Sequence, residues 1–273
     1  MSVKKLKLAI NHRSCPQLEP LELIDLSIKL GVSAVELRID IKENSITNMA
    51  MARTVAQYAE EKEIKILTIN ALYPFNIWNK EREDETQRLA DLCHAVGAKA
   101  LVCCPLVSDR VKFSEHEQLD KACDSLFKIS PILKSRSLVG HVEPLGFPIS
   151  TLRKKEIALN AIDDSGTSDV FNILHDTFHH AGAQEVDYHA KRTGLVHLSS
   201  VVDKSLEMDD LLDAHRFFVQ ENDITYCLNQ IRELTSRGYD DYFSIEPFAD
   251  EILGYSDPAS VIHASIGYIN RSI

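Results

Sequence analysis

Four short runs decide the fold: LVGHVEP (138–144), VFNILHD (170–176), GLVHLSS (194–200) and YFSIEPF (242–248). Each is rich in Val, Ile, Leu or aromatic residues over a strand's length, as strands buried on both faces require. Each also carries one acid or imidazole near its end: Glu143, Asp176, His197 and Glu246. Upstream, the runs LKLAIN (6–11), AVELR (34–38), IKILTINAL (64–72) and KALVCCPL (99–106) have the same character, which brings the expected strands to eight.

Helical patterns lie between the runs. Leu89, Leu92, Cys93 and Val96 follow the i, i+3, i+4, i+7 spacing, and Gly97 supplies a C-terminal stop. Ala52, Val55, Ala56 and Ala59 repeat that spacing; Leu23, Leu26 and Leu30 precede Gly31, and Leu228, Ile231 and Leu234 precede Gly238. Eight strands alternating with helices predict a (β/α)₈ TIM barrel, α/β in class, as a single domain over residues 1–273. A doubly wound open sheet would want a glycine-rich turn after the first strand, and INHRSCPQLEP contains no glycine. The 49 residues from His197 to Glu246 imply an insertion of roughly 20 residues after the seventh strand, a length at which loops are commonly functional.

Composition narrows the function classes. The 273 residues are 44% hydrophobic and 26% charged, with 30 Lys and Arg against 41 Asp and Glu, a net charge of −11. Such a surface repels phosphate backbones and anionic lipid, so neither a nucleic acid nor a membrane is an expected partner. No apolar run spans a bilayer, and MSVKKLKLAINH lacks the apolar stretch of a secretory signal. The six cysteines show no CxxC spacing and read as reduced thiols of a cytoplasmic protein.

Barrel enzymes work at the C-terminal strand ends. There the chain offers Asn11 and His12, Glu36 and Arg38, Asn70, Cys104, and then Glu143, Asp176, His197 and Glu246. Burying three carboxylates together without a cation costs several kcal/mol apiece, and a divalent metal removes that cost. Three carboxylates and one imidazole suit Mn²⁺, Mg²⁺ or Co²⁺, with Zn²⁺ admissible. The bland reading pairs each acid with its own Arg or Lys, and few basic residues stand near these strand ends in sequence.

The segments HVEPLG, LHDTFHH, LVHLSS and FSIEPF resemble the four metal-bearing strand ends of the xylose isomerase-like TIM barrels, a group of sugar and inosose isomerases, 3-epimerases and dehydratases. INALYPFNIW and DAHR are similar to stretches of its 2-keto-myo-inositol (inosose) isomerase branch. The resemblance implies that Glu143, Asp176, His197 and Glu246 hold the metal, that Glu143 and Glu246 act as acid and base on opposite sides of the substrate, and that His179 contacts a substrate oxygen. Dimers are frequent in the family, so a homodimer is expected. The sugar epimerases carry an arginine six residues after the ligand histidine; here that position is Asp203, and Arg216 in DAHRFF is the expected replacement for holding substrate.

Other residues keep two readings. His175 should pack against the helix layer, and His180 should sit beside the ligand set or in solvent. His141 either orients Glu143 by a hydrogen bond or is a satisfied core polar. Glu36 and Arg38 either pair with each other or bring Glu36 near the site. Phe75 and Trp78 either pack their loop or, in the case of Trp78, cover the C–H face of a polyol. Cys103 and Cys104 read as core.

The combined expectation is an isomerase that moves the carbonyl of an unphosphorylated polyol ketone, an inosose or a ketose, through an enediolate, and so serves inositol or other carbohydrate catabolism. The loops SSVVDKSLEMDD and PFADEILGY are acidic with a single glycine, unlike a phosphate cradle. A dehydratase or 3-epimerase on the same ligands is the rival chemistry. A non-catalytic polyol-binding barrel is the rival of another class, opposed by retention of both glutamates.

Overall fold

The computed structural model describes residues 6–273. Its strands are β1 (Lys7–Asn11), β2 (Ala34–Arg38), β3 (Lys65–Leu72), β4 (Ala100–Cys103), β5 (Val139–Val142), β6 (Phe171–Asp176), β7 (Thr193–Leu198) and β8 (Tyr242–Ile245). Among the described residues they pair in parallel and in sequence order, and β1 pairs with β8 to close the barrel. The helices are α1 (Pro20–Lys29), α2 (Met49–Glu61), α3 (Lys80–Val96), α4 (Glu115–Lys134), α5 (Lys155–Asp164), α6 (Thr177–Gly182), α7 (Cys227–Ser236) and α8 (Pro258–Ser272). The single-domain (β/α)₈ barrel is therefore the observed architecture.

Local chemistry starts and stops these helices where the sequence signals it. Glu19 and Glu22 form a capping box around Pro20 at the start of α1, Ser114 and Glu117 form another at α4, and Asn79 caps α3. Gly97 closes α3 in the left-handed region, at φ 76°. The predicted stripe Leu89, Leu92, Cys93 and Val96 is buried against the barrel. Most of the core lies between strands and helices, while a smaller inner cluster of Ala9, Ala34, Val102, Leu174, Leu195 and Tyr242 plugs the barrel itself.

Strands are shorter than the apolar runs. β4 ends at Cys103 and not at Leu106, because Cys104 already turns toward the barrel mouth before Pro105. β5 and β8 end one residue before Glu143 and Glu246, so both glutamates project from the first residue past the sheet. Asp176 ends β6 and caps α6 directly, accepting from the backbone N–H groups of Phe178 and His179. The expected insertion after β7 is the segment 199–226, which crosses the mouth before α7. Among the described residues no helix is long and apolar enough to cross a membrane.

Candidate metal centre

Side chains alternate along a strand, so β6 presents Asn172, Leu174 and Asp176 to the barrel interior and β7 presents Leu195 and His197. This parity gathers Glu143, Asp176, His197 and Glu246, all buried, with ligand atoms within 4.8 Å of one another. His197 Nδ1 lies 2.9 Å from Glu246, 3.3 Å from Glu143 and 3.9 Å from Asp176. Despite that proximity, it makes no hydrogen bond of acceptable geometry. The other ring nitrogen, Nε2, lies 3.1 and 3.2 Å from the two oxygens of Glu36. Glu36 is fixed in turn by Thr68 Oγ1 at 2.6 Å, Asn70 Nδ2 at 3.0 Å and Asn11 Nδ2 at 3.1 Å. An imidazole with one nitrogen committed to a carboxylate and the other aimed at open ligands is the arrangement of a metal-bound histidine.

Charge supports the fit. Burial pushes the His197 pKa down, but Glu246 and Glu36 overcome it and raise it well above its ordinary value. Burial alone would raise Glu36, yet His197 holds it at about 2. Two further cations reach the cluster. Arg38 on β2 donates to Glu246 Oε1 at 2.6 Å and to both oxygens of Asp40. Arg216, on the 199–226 segment, donates to Asp176 Oδ2 and, at 3.1 Å, to Glu246 Oε2, with its guanidinium between the rings of Phe178 and Phe248. Burial raises the Asp176 pKa against the pull of Arg216. Four buried carboxylates (Glu36, Glu143, Asp176, Glu246) face two buried guanidiniums, so acid remains in excess even with His197 protonated, and a cation that displaced that proton would meet two negative charges. A divalent ion bound there would supply the missing positive charge. Three carboxylates and one imidazole offer the O/N donor set of Mn²⁺, Co²⁺, Mg²⁺ or Zn²⁺.

Above the cluster opens a cavity of about 470 Å³ whose wall includes Arg38, Asp40, Cys104, Phe147, His179 and Arg216. His179 packs edge-on against Phe147 and Phe178 and leaves its buried Nδ1 without a partner among the described residues. Burial, then Arg216, lowers the His179 pKa to about 4, so the ring is neutral. Two larger cavities, of about 870 and 920 Å³, contain none of the four clustered residues.

The xylose isomerase-like TIM-barrel family matches residues 24–271. The chain belongs to this family. It is 25% identical to the inosose isomerase of Bacillus velezensis over 239 residues, covering 84% of this chain and 83% of that protein. The crystal structure of a xylose isomerase domain-containing protein from Salmonella typhimurium superposes with a TM-score of 0.88 at 30% identity, covering 98% of this chain and 99% of that one. The IolI protein, whose structure holds a zinc atom, superposes with a TM-score of 0.81 at 21% identity, covering 97% and 98%.

Within this xylose isomerase-like frame several expectations need correction. Arg38 and Arg216 supply the cations that the local sequence around the strand ends lacked. Glu36 and Arg38 do not pair with each other, since Glu36 serves His197 and Arg38 bridges Asp40 and Glu246. His141 makes no bond to Glu143; it lies one layer down, against Gly194, and lines the 870 Å³ cavity toward the N-terminal strand ends. His180 is neither beside the ligands nor solvated, but buried in the helix layer on Lys155. His175 packs in that layer as its parity required.

Trp78 is absent from the mouth. It precedes Asn79, the N-cap of α3, so the chain has already turned down the outside of the barrel, and the indole lines a groove with Phe127 and Pro131 of α4. A substrate contact for Trp78 is therefore withdrawn, and Phe75 is fully buried packing. Asp203 is exposed and accepts from Ser205, while Arg216 occupies the mouth. Cys104, read with Cys103 as core, is also placed differently. Its thiol lines the cavity and donates to Glu143 Oε2 at 3.2 Å, while its neighbour Cys103 faces the core. The parity of adjacent strand residues was the available signal, because only one of two vicinal cysteines can face inward.

Proposed function

We propose that this chain is a divalent-metal-dependent isomerase that moves the carbonyl of an unphosphorylated polyol ketone, with an inosose as first substrate class and a ketose sugar as second. The observation that carries the reading is the convergence of Glu143, Asp176, His197 and Glu246, an acid-rich ligand set, on the floor of a monosaccharide-sized cavity. Similarity to an inosose isomerase supports the substrate class. Carboxylates outnumber guanidiniums on the cavity wall, and Arg38 and Arg216 are already committed to carboxylates, which opposes a phosphorylated substrate. Six unpaired cysteines are in keeping with the cytoplasm.

When bound, the cation supplies positive charge beside the substrate oxygens on which negative charge develops. The chain's own groups divide the remaining work. Glu246 accepts from Arg38 and Asn11 at Oε1 and from Arg216 at Oε2, which holds it as an oriented carboxylate to pass the proton of the neighbouring hydroxyl to the former carbonyl oxygen. Glu143 has a thiol on Oε2, His197 3.3 Å from Oε1 and no guanidinium on either among the described residues, so its oxygens are the freer to take a proton from carbon and return it to the neighbouring carbon. The unpartnered ring nitrogen of His179 is free to bond a substrate oxygen, and Arg216 closes the site from the long loop. The deciding experiment incubates the protein with Mn²⁺, Mg²⁺ or Co²⁺ and a panel of inososes and ketoses in D₂O. Deuterium next to the carbonyl together with a shifted carbonyl is expected. An ultraviolet-absorbing unsaturated product would indicate a dehydratase, and no exchange with any member would leave a polyol-binding barrel.

A further inference from the structure

Behind the centre, in the layer between β6 and the helices, lies a buried polar cluster that the proposed chemistry does not use. Lys155, at the start of α5, is 3% exposed. Its ammonium donates to His175 Nδ1 at 3.1 Å, His180 Nδ1 at 2.7 Å and the Asp187 carbonyl at 3.0 Å, so each of its three protons has an acceptor. An ammonium can only donate, which makes both Nδ1 atoms acceptors and puts the proton of neutral His175 on Nε2. That nitrogen then donates to Gln230 Oε1 at 2.8 Å, which fixes the direction of the amide. The amide nitrogen of Gln230 donates to the Thr177 carbonyl at 2.8 Å and the Thr225 carbonyl at 2.7 Å. Thr177 is held from the other side as well, its hydroxyl donating to the His197 carbonyl at 3.2 Å.

Thr177 sits between Asp176, whose Oδ1 caps the same turn, and His179, which reaches the cavity. We propose that Lys155, His175 and Gln230 form a directed hydrogen-bond relay that positions the Asp176–His179 turn, with Gln230 as the positioning residue for the metal ligand Asp176. The relay draws on four elements, α5, β6, α7 and the 199–226 segment, and its last amide ties the Thr177 carbonyl of the turn to the Thr225 carbonyl of that segment. Packing alone needs no buried lysine with every proton matched; a turn that must aim a carboxylate and an imidazole does. This inference rests on the metal reading of the centre.

The test measures Mn²⁺ and Zn²⁺ dissociation constants by chelator competition, well below the melting temperature, for wild type, Gln230→Leu, Gln230→Glu, Lys155→Met and the core control Leu234→Ala. Loss of a residue supporting a metal ligand typically weakens affinity by about 10–100-fold, and that is expected for Gln230→Leu and Lys155→Met. Gln230→Glu keeps the acceptor for His175 but loses both donors, so it should weaken binding to a similar degree, and it carries the test if Gln230→Leu fails to fold. Leu234→Ala should lower the melting temperature without changing metal affinity. Wild-type affinity in the Gln230 and Lys155 variants would overturn the positioning role, as would an equal loss in Leu234→Ala. Absence of binding by wild type would instead defeat the metal reading itself.

Discussion

His197 Nε2 lies 3.1 Å from Glu36 Oε1, on the side of the ring turned away from Glu143, Asp176 and Glu246. The bond fixes the imidazole's orientation and keeps Nδ1 for the cluster, and it reaches from β7 across the barrel to β2. Glu36→Gln retains an oxygen but removes the charge that makes His197 a strong donor. Its Mn²⁺ affinity should fall by about 10–100-fold, read by chelator competition. Unchanged affinity would mean that His197 is oriented by packing alone.

The glycine of HVEPLG has a steric task at the same mouth. A Cβ on Gly146 would lie 2.1 Å from the His179 carbonyl oxygen and 2.9 Å from the Ala183 nitrogen, both backbone atoms of the α6 turn. Gly146→Ala must therefore push α6 outward. A stability loss of about 1–3 kcal/mol in urea unfolding is expected, as for overpacked sites. The raised KM that follows from a displaced His179 should accompany it. A variant with wild-type stability and KM would show that α6 yields freely.

Buried neutral histidines set the acid limit of the fold. Burial lowers His12 to about 4, against a hydrogen bond to the Leu18 carbonyl and beside Arg38 and Asp40. Burial and Lys155 lower His180 to about 3. Both stand below the ordinary 6.5, so the unfolded chain binds more protons and the contribution of each group, complete above pH 6.5, is lost as pH falls toward 4 and 3. Lys155 acts in a separate alkaline window, between about 8 and 10.5, where stability rises with pH. Each unmatched proton gives a slope of about 1.4 kcal/mol per pH unit. Urea unfolding of the metal-free protein should weaken from pH 6.5 to 4.5, and the slope should flatten by up to one proton in His180→Gln. A flat profile would mean that these rings are protonated within the fold.

Much of the site was legible because strand parity is a local property. Glu143, Asp176, His197 and Glu246 each stand at a strand end, and alternation alone sends them to one interior. The partners of those residues were not legible. Arg38 and Glu246 are 208 positions apart and meet only because β1 closes on β8, and Arg216 arrives on an irregular segment with no periodicity to read. Trp78 failed for the opposite reason. A loop residue was assigned to the mouth by its place after β3, although Asn79 already marked the helix start one residue later. Helix-layer residues such as His180 and Lys155 pair across elements, and the spacing within one helix carries no sign of that.

The two glutamates should separate when each is replaced by glutamine. Both substitutions keep an oxygen for a cation and remove a carboxylate that the proposed reaction uses, so each should lower turnover by at least the ~10²–10⁴-fold of a lost acid–base step. Stability should divide them. Glu246 is the shared partner of Arg38 and Arg216, so Glu246→Gln strands two buried guanidiniums on a neutral amide. Removing one partner of a buried ion pair costs about 3–5 kcal/mol. Remaining contacts of Arg38 with Asp40 and of Arg216 with Asp176 and Asp213 should keep the loss toward the lower figure. Among the described residues Glu143 has no guanidinium in hydrogen-bond or ion-pair contact, only the Cys104 thiol and the 3.3 Å approach of His197, and its loss relieves repulsion within the cluster. Glu143→Gln should therefore unfold at the wild-type urea midpoint or above it in metal-free buffer, while Glu246→Gln unfolds well below. Equal destabilisation of the two variants would mean that Arg38 and Arg216 are held by their outer partners and not by Glu246, and the asymmetry assigned to the glutamates would lose its basis.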